Sequence, residues 1–132
     1  DSVLLSIADQ DKVESLQLIR SLVDLGCGLY ATEGTAAMVQ GLGIPVTIIT
    51  KKLSEGHPNV VDIILDGTVK AVVNTVTGER APLQDGFQIR RAAVERRIPC
   101  FTSIDTARAA VESLLSGTSG YNVMARHEYF GR

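Results

Sequence analysis

Residues 30–37, Tyr-Ala-Thr-Glu-Gly-Thr-Ala-Ala, join two apolar runs and carry residue types that suit a small anion. A turn from a strand into a helix aims free backbone N–H groups at one point, where the helix dipole favours negative charge. Three residues of this turn supply hydroxyl groups and close backbone access for a phosphate or carboxylate: Thr32, Gly34 and Thr35. The turn also fits an ordinary helix N-cap, for which Thr is common, so both interpretations stay open at this point.

Polar or cationic residues follow three other apolar runs, at Asp9–Lys12, Lys51–Lys52 and Asn74–Thr75. The carboxyl ends of parallel strands meet at one edge of a sheet, and ligands bind there. The convergence of hydroxyls, an amide and cations at that edge favours an anion site over a simple cap. The sequence contains neither Gly-x-x-x-x-Gly-Lys-Ser/Thr nor Gly-x-Gly-x-x-Gly.

The elements that must position these residues alternate between strand and helix. Strands are predicted at Val3–Ala8, Cys27–Ala31, Val46–Ile49, Val69–Asn74 and Ile98–Phe101. Helices are predicted at residues 12–25, Ala36–Leu42, Asn59–Leu65, Asp85–Arg97 and from Ser103 or Asp105 to Leu115. Asp11 is the predicted cap of the first helix and Gly26 is predicted to follow its end, while Pro58 is predicted in the first turn of the third helix. The alternation predicts an α/β fold with a parallel sheet that is covered on both faces.

The chain of 132 residues is long enough for one domain, which we place at residues 1–116, followed by a tail at 117–132. The tail contains Tyr121, Tyr129 and Phe130, and it either packs on the domain or forms a mobile end. Because the chain begins with Asp1 and enters a strand at Val3, we expect it to be a piece of a longer protein.

Charge and cysteine content narrow the class of protein. A formal net charge of −2 gives no reason to expect a nucleic acid or an anionic membrane as partner. No apolar stretch reaches the roughly 20 residues that span a bilayer. Cys27 and Cys100 lack a metal-ligand spacing, so we expect two buried free thiols, no metal site and a cytoplasmic location.

Five segments occur in the order that one known family shows: Leu4–Ile7, Tyr30–Ala36, Lys52–Gly56, Val73–Thr75 and Ile89–Ala93. Together they resemble the methylglyoxal-synthase-like domain, and in particular the C-terminal allosteric domain of the carbamoyl phosphate synthetase large subunit. The resemblance extends over about residues 3–115. It implies a Rossmann-like three-layer sandwich with a central five-stranded parallel sheet, and a regulatory role without catalytic residues.

The resemblance also implies an effector, which in bacterial members is UMP as inhibitor or IMP as activator. By motif position the effector phosphate would contact Lys12, Thr32, Gly34, Thr35, Lys52, Asn74 and Thr75, with Ser6 on the floor of the site. The parent would be an ATP-dependent ligase that uses Mg and K and makes carbamoyl phosphate for pyrimidine and arginine synthesis. The domain itself would need no cofactor. Its partners would be the rest of the large subunit and a glutaminase subunit, and homo-oligomer formation stays open.

Three departures from the family pattern bear on the effector. Val76 stands where members often carry a second hydroxyl after the Asn. Phe101-Thr102-Ser103 lacks the acid that follows the aromatic residue in members activated by ornithine, so we expect ornithine to bind poorly. The chain has no Trp, which argues against N-acetylglutamate, the activator of mitochondrial members.

The alternative function is a methylglyoxal synthase-type lyase acting on dihydroxyacetone phosphate, with Glu55 as base and His57 as acid. We favour solvated loop positions for both residues. A cyclohydrolase domain would need a longer lysine-containing loop than residues 51–59 offer, and a phospho-receiver domain would need an Asp and a Lys where Lys51 and Thr102 stand. Four arginines form a basic edge that is either a solvated face or a contact with the nucleotide or the synthetase: Arg90, Arg91, Arg96 and Arg97.

Overall fold

The computed structural model describes residues 1–50, 58–75 and 83–115. In these residues five strands alternate with five α-helices. The strands are β1 (Ser2–Ser6), β2 (Gly28–Ala31), β3 (Thr47–Ile48), β4 (Ala71–Asn74) and β5 (Cys100–Phe101). The helices are α1 (Lys12–Asp24), α2 (Glu33–Gly41), α3 (Val60–Leu65), α4 (Leu83–Arg96) and α5 (Ile104–Leu115), and a 3₁₀ turn at Asp9–Asp11 precedes α1. The tail predicted at 117–132 lies outside the described residues.

The strands form one five-stranded parallel sheet in the order β3-β2-β1-β4-β5. The fold class predicted from the sequence is confirmed. The chain builds the sheet outward from β1 through β2 to β3, then returns to place β4 on the other side of β1. The carboxyl ends of β1 and β4 therefore flank the topological switch point, which is where open α/β sheets bind ligands.

Alternate residues of the central strands enter two separate apolar cores. Leu5 and Val73 belong to a cluster with buried residues of α1, α2 and α5. Leu4 and Val72 belong to a second cluster with residues of α3 and α4. Because successive side chains of a strand point to opposite faces, these two clusters are the two outer interfaces of a three-layer sandwich.

The start of α2 differs from the prediction. The helix begins at Glu33, three residues before Ala36, and Thr32 occupies its N-cap position. The Ala36 N–H already donates to the Thr32 carbonyl oxygen at 2.7 Å, and the acidic Glu33 suits the positive end of the helix dipole. Thr35 consequently lies within the first turn of the helix and not in the turn before it.

The start of α3 also differs, because Asn59 and not Pro58 sets it. Asn59 Oδ1 accepts from the N–H groups of Val61 and Asp62, and Asp62 Oδ2 accepts from the Asn59 N–H at 3.0 Å. This capping box satisfies the free donors of a helix that has only six residues. Pro58 precedes the cap, so its prediction as a first-turn residue was wrong.

Three other predicted features had mixed outcomes. Ser103 caps α5, since its Oγ accepts from the Thr106 N–H at 3.2 Å, whereas Asp11 precedes α1 without a side-chain cap. Cys27 and Cys100 are free thiols but are only half-buried. None of the helices that the structure describes is long and apolar enough to cross a membrane.

Four of the described helices are followed by a residue in the left-handed backbone region, which is glycine after α1, α2 and α3 and arginine after α4. Gly26 follows α1 with φ +80°, as predicted, and the next N–H returns to the Leu22 carbonyl oxygen at 3.1 Å. Arg97 follows α4 with φ 56°, and the Ile98 N–H returns to the Ala93 carbonyl oxygen at 3.0 Å. The same helix-ending motif is therefore free of strain at the glycine and strained at the arginine.

This difference predicts opposite effects of two exposed substitutions. Arg97→Gly should raise the free energy of unfolding by about 0.5–1 kcal/mol, because glycine adopts positive φ without a Cβ clash. Gly26→Ala should lower it by about 1 kcal/mol, although an added Cβ would meet no atom within 4 Å. Chemical denaturation of both variants measures the two shifts, and shifts of equal sign would contradict the backbone explanation.

Candidate functional site

The carboxyl ends of β1 and β4 bring two polar side chains together at the switch point. Ser6 and Asn74 are the last residues of their strands and face each other in the parallel register. Ser6 is 1% exposed and Asn74 is fully buried. The structure thus unites the residue predicted on the floor of the site with the amide predicted to hold the phosphate.

Both side chains are buried without hydrogen bonds. Ser6 Oγ and both polar atoms of the Asn74 amide, Oδ1 and Nδ2, have no partner in the described part of the chain. A buried polar group that lacks a partner costs about 1–3 kcal/mol, so nearly all such groups in native proteins are satisfied. Two unsatisfied groups side by side at a switch point indicate a place for a polar ligand or water.

Thr35 and Thr75 hold the backbone that follows β1. Thr35 Oγ1 accepts from the Ile7 N–H at 2.9 Å, and Thr75 Oγ1 accepts from the Ala8 N–H at 2.9 Å. The Thr35 hydroxyl also lies 3.4 Å from the Ile7 carbonyl oxygen. These contacts fix the loop that forms one wall of the site. Direct contact of either threonine with a phosphate stays a prediction.

Thr32 stands at the N-terminus of α2 without capping it. Its side chain makes no cap hydrogen bond although the residue is buried, and its own N–H donates to the Leu5 carbonyl oxygen at 3.2 Å. The cap interpretation left open by the sequence therefore does not describe its hydroxyl in this structure. Binding of a ligand by Thr32 stays a prediction.

Lys12 supplies positive charge over the N-terminus of α2. A Cβ at Gly34 would lie 3.3 Å from Lys12 Nζ, so glycine leaves room for the ammonium group. Lys12 forms an ion pair with Asp9, and this hydrogen bond, followed by the lysine charge, lowers the pKa of the Asp9 carboxyl. An ammonium group and a helix N-terminus at one point make that point favourable for an anion.

The pairing of Lys12 with Asp9 was not predicted, although the three-residue spacing is a signal for such a pair within a helical turn. Other predicted residues lie outside the described residues: Lys51, Lys52, Glu55, His57 and Val76.

Thr102 is exposed after β5, and its predicted effect on ornithine stays a prediction. The four arginines of α4 and its C-terminus are exposed, and Arg91 forms an ion pair with Glu95 at 3.8 Å.

Comparison with known proteins defines the class. Residues 14–102 match the model of the MGS-like domain family, and the chain belongs to this family. It is 48% identical over 127 residues to the carbamoyl phosphate synthase large chain of Thermomicrobium roseum. The match covers 96% of this chain but 12% of that protein, so the chain corresponds to a small part of its relative.

A solved structure supports the fold at greater distance. The crystal structure of ForH aligns with a TM-score of 0.61 and 18% sequence identity. The alignment covers 88% of this chain and 80% of that chain. At this identity the likeness extends to the fold alone.

The contacts of Thr35 predict a structural cost when its hydroxyl is removed. Thr35→Val keeps the side-chain shape but leaves the buried Ile7 N–H without its acceptor, which should lower the free energy of unfolding by about 1–3 kcal/mol. Thr35→Ser keeps the acceptor and should lose less than about 1 kcal/mol for one methyl group. Urea denaturation compares the two, and a valine variant as stable as the serine variant would count against this role.

Proposed function

We propose that this chain is the effector-binding regulatory domain of a carbamoyl phosphate synthase large chain, and that it binds a nucleoside monophosphate. UMP would act as inhibitor and IMP as activator of carbamoyl phosphate synthesis in the pyrimidine and arginine pathways. The observation that carries the proposal is the unsatisfied pair Ser6 and Asn74, buried at the switch point beside the N-terminus of α2. Family membership and the similarity to a synthase large chain support it.

A nucleoside monophosphate can satisfy both the hydrogen-bond donors and the acceptor that lack partners in Ser6 and Asn74. Phosphate oxygens can accept from Ser6 Oγ and Asn74 Nδ2, whereas a ribose hydroxyl can donate to Asn74 Oδ1. The Lys12 ammonium and the first N–H groups of α2 would balance the phosphate charge. The proposed set of phosphate-binding residues also includes Thr32, Gly34, Thr35, Thr75 and Lys52.

Regulation by such a site requires that the ligand bind two states of the parent with different affinities. We assign no catalytic residue and no cofactor to this domain, and we place it in the cytoplasm. The parent would be an ATP-dependent ligase with Mg and K. The domain would act on the rest of the large chain and its glutaminase subunit.

The first test is calorimetric titration with UMP and IMP, with Ser6→Ala as the central variant. Removing a buried hydroxyl that has no protein partner should leave the free energy of unfolding unchanged or higher. Affinity for the nucleotide should fall at least about tenfold, the value of one hydrogen bond to a charged phosphate. Loss of stability with unchanged affinity would assign Ser6 to the fold and remove it from the site.

Introduction of a negative charge tests Asn74, the other residue of the pair. Asn74→Asp keeps the side-chain size but sets a carboxylate against the phosphate, so the affinity for UMP should fall at least about tenfold. Gln17→Glu adds the same charge at an exposed position of α1 and should change the affinity less than about twofold. Circular dichroism confirms folding of both variants before titration.

Two outcomes would overturn the proposed function. One is an absence of heat and of thermal stabilisation with either nucleotide at millimolar concentration. The other is release of methylglyoxal and inorganic phosphate from dihydroxyacetone phosphate, which would establish the lyase alternative based on Glu55 and His57. Titration with ornithine and N-acetylglutamate in the same buffer tests the two effectors that the sequence disfavours.

A further inference from the structure

Asp9 lies beside the candidate anion site and carries the same sign of charge as a phosphate. It begins the 3₁₀ turn between β1 and α1, and its carboxylate pairs with the ammonium group of Lys12. The same ammonium group lies over Gly34 in the first turn of α2. One cation therefore faces both a carboxylate of the chain and the helix N-terminus that would receive a ligand anion.

Ser6 lies next to this helix N-terminus. The Leu5 carbonyl oxygen, just before Ser6, accepts from the Thr32 N–H at 3.2 Å. The Ile7 N–H, just after Ser6, donates to Thr35 Oγ1 at 2.9 Å. The Ser6 hydroxyl is buried and has no hydrogen-bond partner in the described part of the chain. This observation is independent of the ion pair, and it points to a polar ligand at the same place.

The two members of the ion pair differ in their freedom to move. The side chain of Asp9 is 94% exposed, so its carboxylate can leave the pair without exposing apolar surface. The side chain of Lys12 is 23% exposed, so most of its aliphatic stem is covered and its ammonium group is held over α2. The carboxylate is therefore the member of the pair that an incoming anion can replace.

We propose that Asp9 is a built-in competitor of the ligand, because its carboxylate occupies the place at Lys12 that a ligand anion takes. The proposal rests on the proposed function, in which Lys12 binds the phosphate of the ligand. An exposed ion pair of this kind lowers the affinity of the site about two- to fivefold. Displacement of the carboxylate is the same step for every anion, so the factor is the same for singly and doubly charged ligands. Repulsion at a distance would instead weaken a doubly charged ligand more.

Two small probes of similar shape and different charge test this competition. At about pH 8 methyl phosphate carries two negative charges, because its second pKa is about 6, whereas methyl sulfate carries one. Nuclear magnetic resonance titration of the Gly34 and Thr35 amide signals gives the affinity for each probe. Asp9→Asn removes the charge and keeps the side-chain size. It should tighten the binding of both probes by the same factor of about two to five.

Two control variants separate competition for Lys12 from a general change in charge. Glu14→Gln removes the same charge from an exposed position of α1 two residues after Lys12, where the side chain points away from that lysine. At about 0.15 M salt it should change the affinity less than about 1.5-fold, because exposed charges are screened. In the Lys12→Gln background, Asp9→Asn should have no effect, since no ammonium group is left to compete for.

Four outcomes would overturn the competitor role of Asp9. One is unchanged or weaker binding of both probes by the Asp9→Asn variant. Another is an equal gain in affinity from Glu14→Gln, and a third is a gain from Asp9→Asn that persists in the Lys12→Gln background. The fourth is an absence of binding of either probe to the Asp9→Asn variant at millimolar concentration, which would remove the anion from Lys12 altogether.

The competitor role and the proposed function fail separately. Binding of methyl phosphate with the expected effect of Asp9→Asn, but no binding of UMP or IMP, would overturn the nucleotide and retain the competitor. Binding of UMP with an affinity that Asp9→Asn does not change would retain the nucleotide and overturn the competitor.

Discussion

The pairing of β1 with β4 is the constraint on which the candidate site depends. Apolar residues on both faces of the two strands fix this register, since Leu4 lies opposite Val72 and Leu5 opposite Val73. A slip by one residue would turn every side chain of a strand to the wrong face. The same register sets Ser6 beside Asn74, so the packing of the core determines where the two unsatisfied groups meet.

The site combines groups that stabilise the fold with groups that weaken it. The threonine hydroxyls after β1 and β4 satisfy backbone donors, whereas Ser6 and Asn74 are buried at a cost. A fold optimised for stability alone would place apolar side chains at these two positions. Buried polar groups at a switch point fit the general trade between stability and binding, in which a ligand offsets the cost when it binds.

Local sequence patterns predicted the elements well and the contacts between them poorly. The alternation of apolar strands and helices predicted the α/β fold, because burial on both faces leaves a clear pattern. The start of α3 depended on a reciprocal bond between Asn59 and Asp62, which outweighed the more obvious Pro58. The role of Thr35 depended on Ile7, which lies 28 positions earlier, and no local pattern carries such a contact.

The helix α1 physically connects the two ends of the sheet. Its first residue, Lys12, stands over the N-terminus of α2, and Leu22 in its last turns lines an apolar groove at the amino ends of the strands, which Val3 and Val111 also line. The helix has 13 residues and packs against α5 and the core on this face of the sheet. A single helix thus borders both the candidate anion site at the carboxyl ends of the strands and the apolar surface at their amino ends.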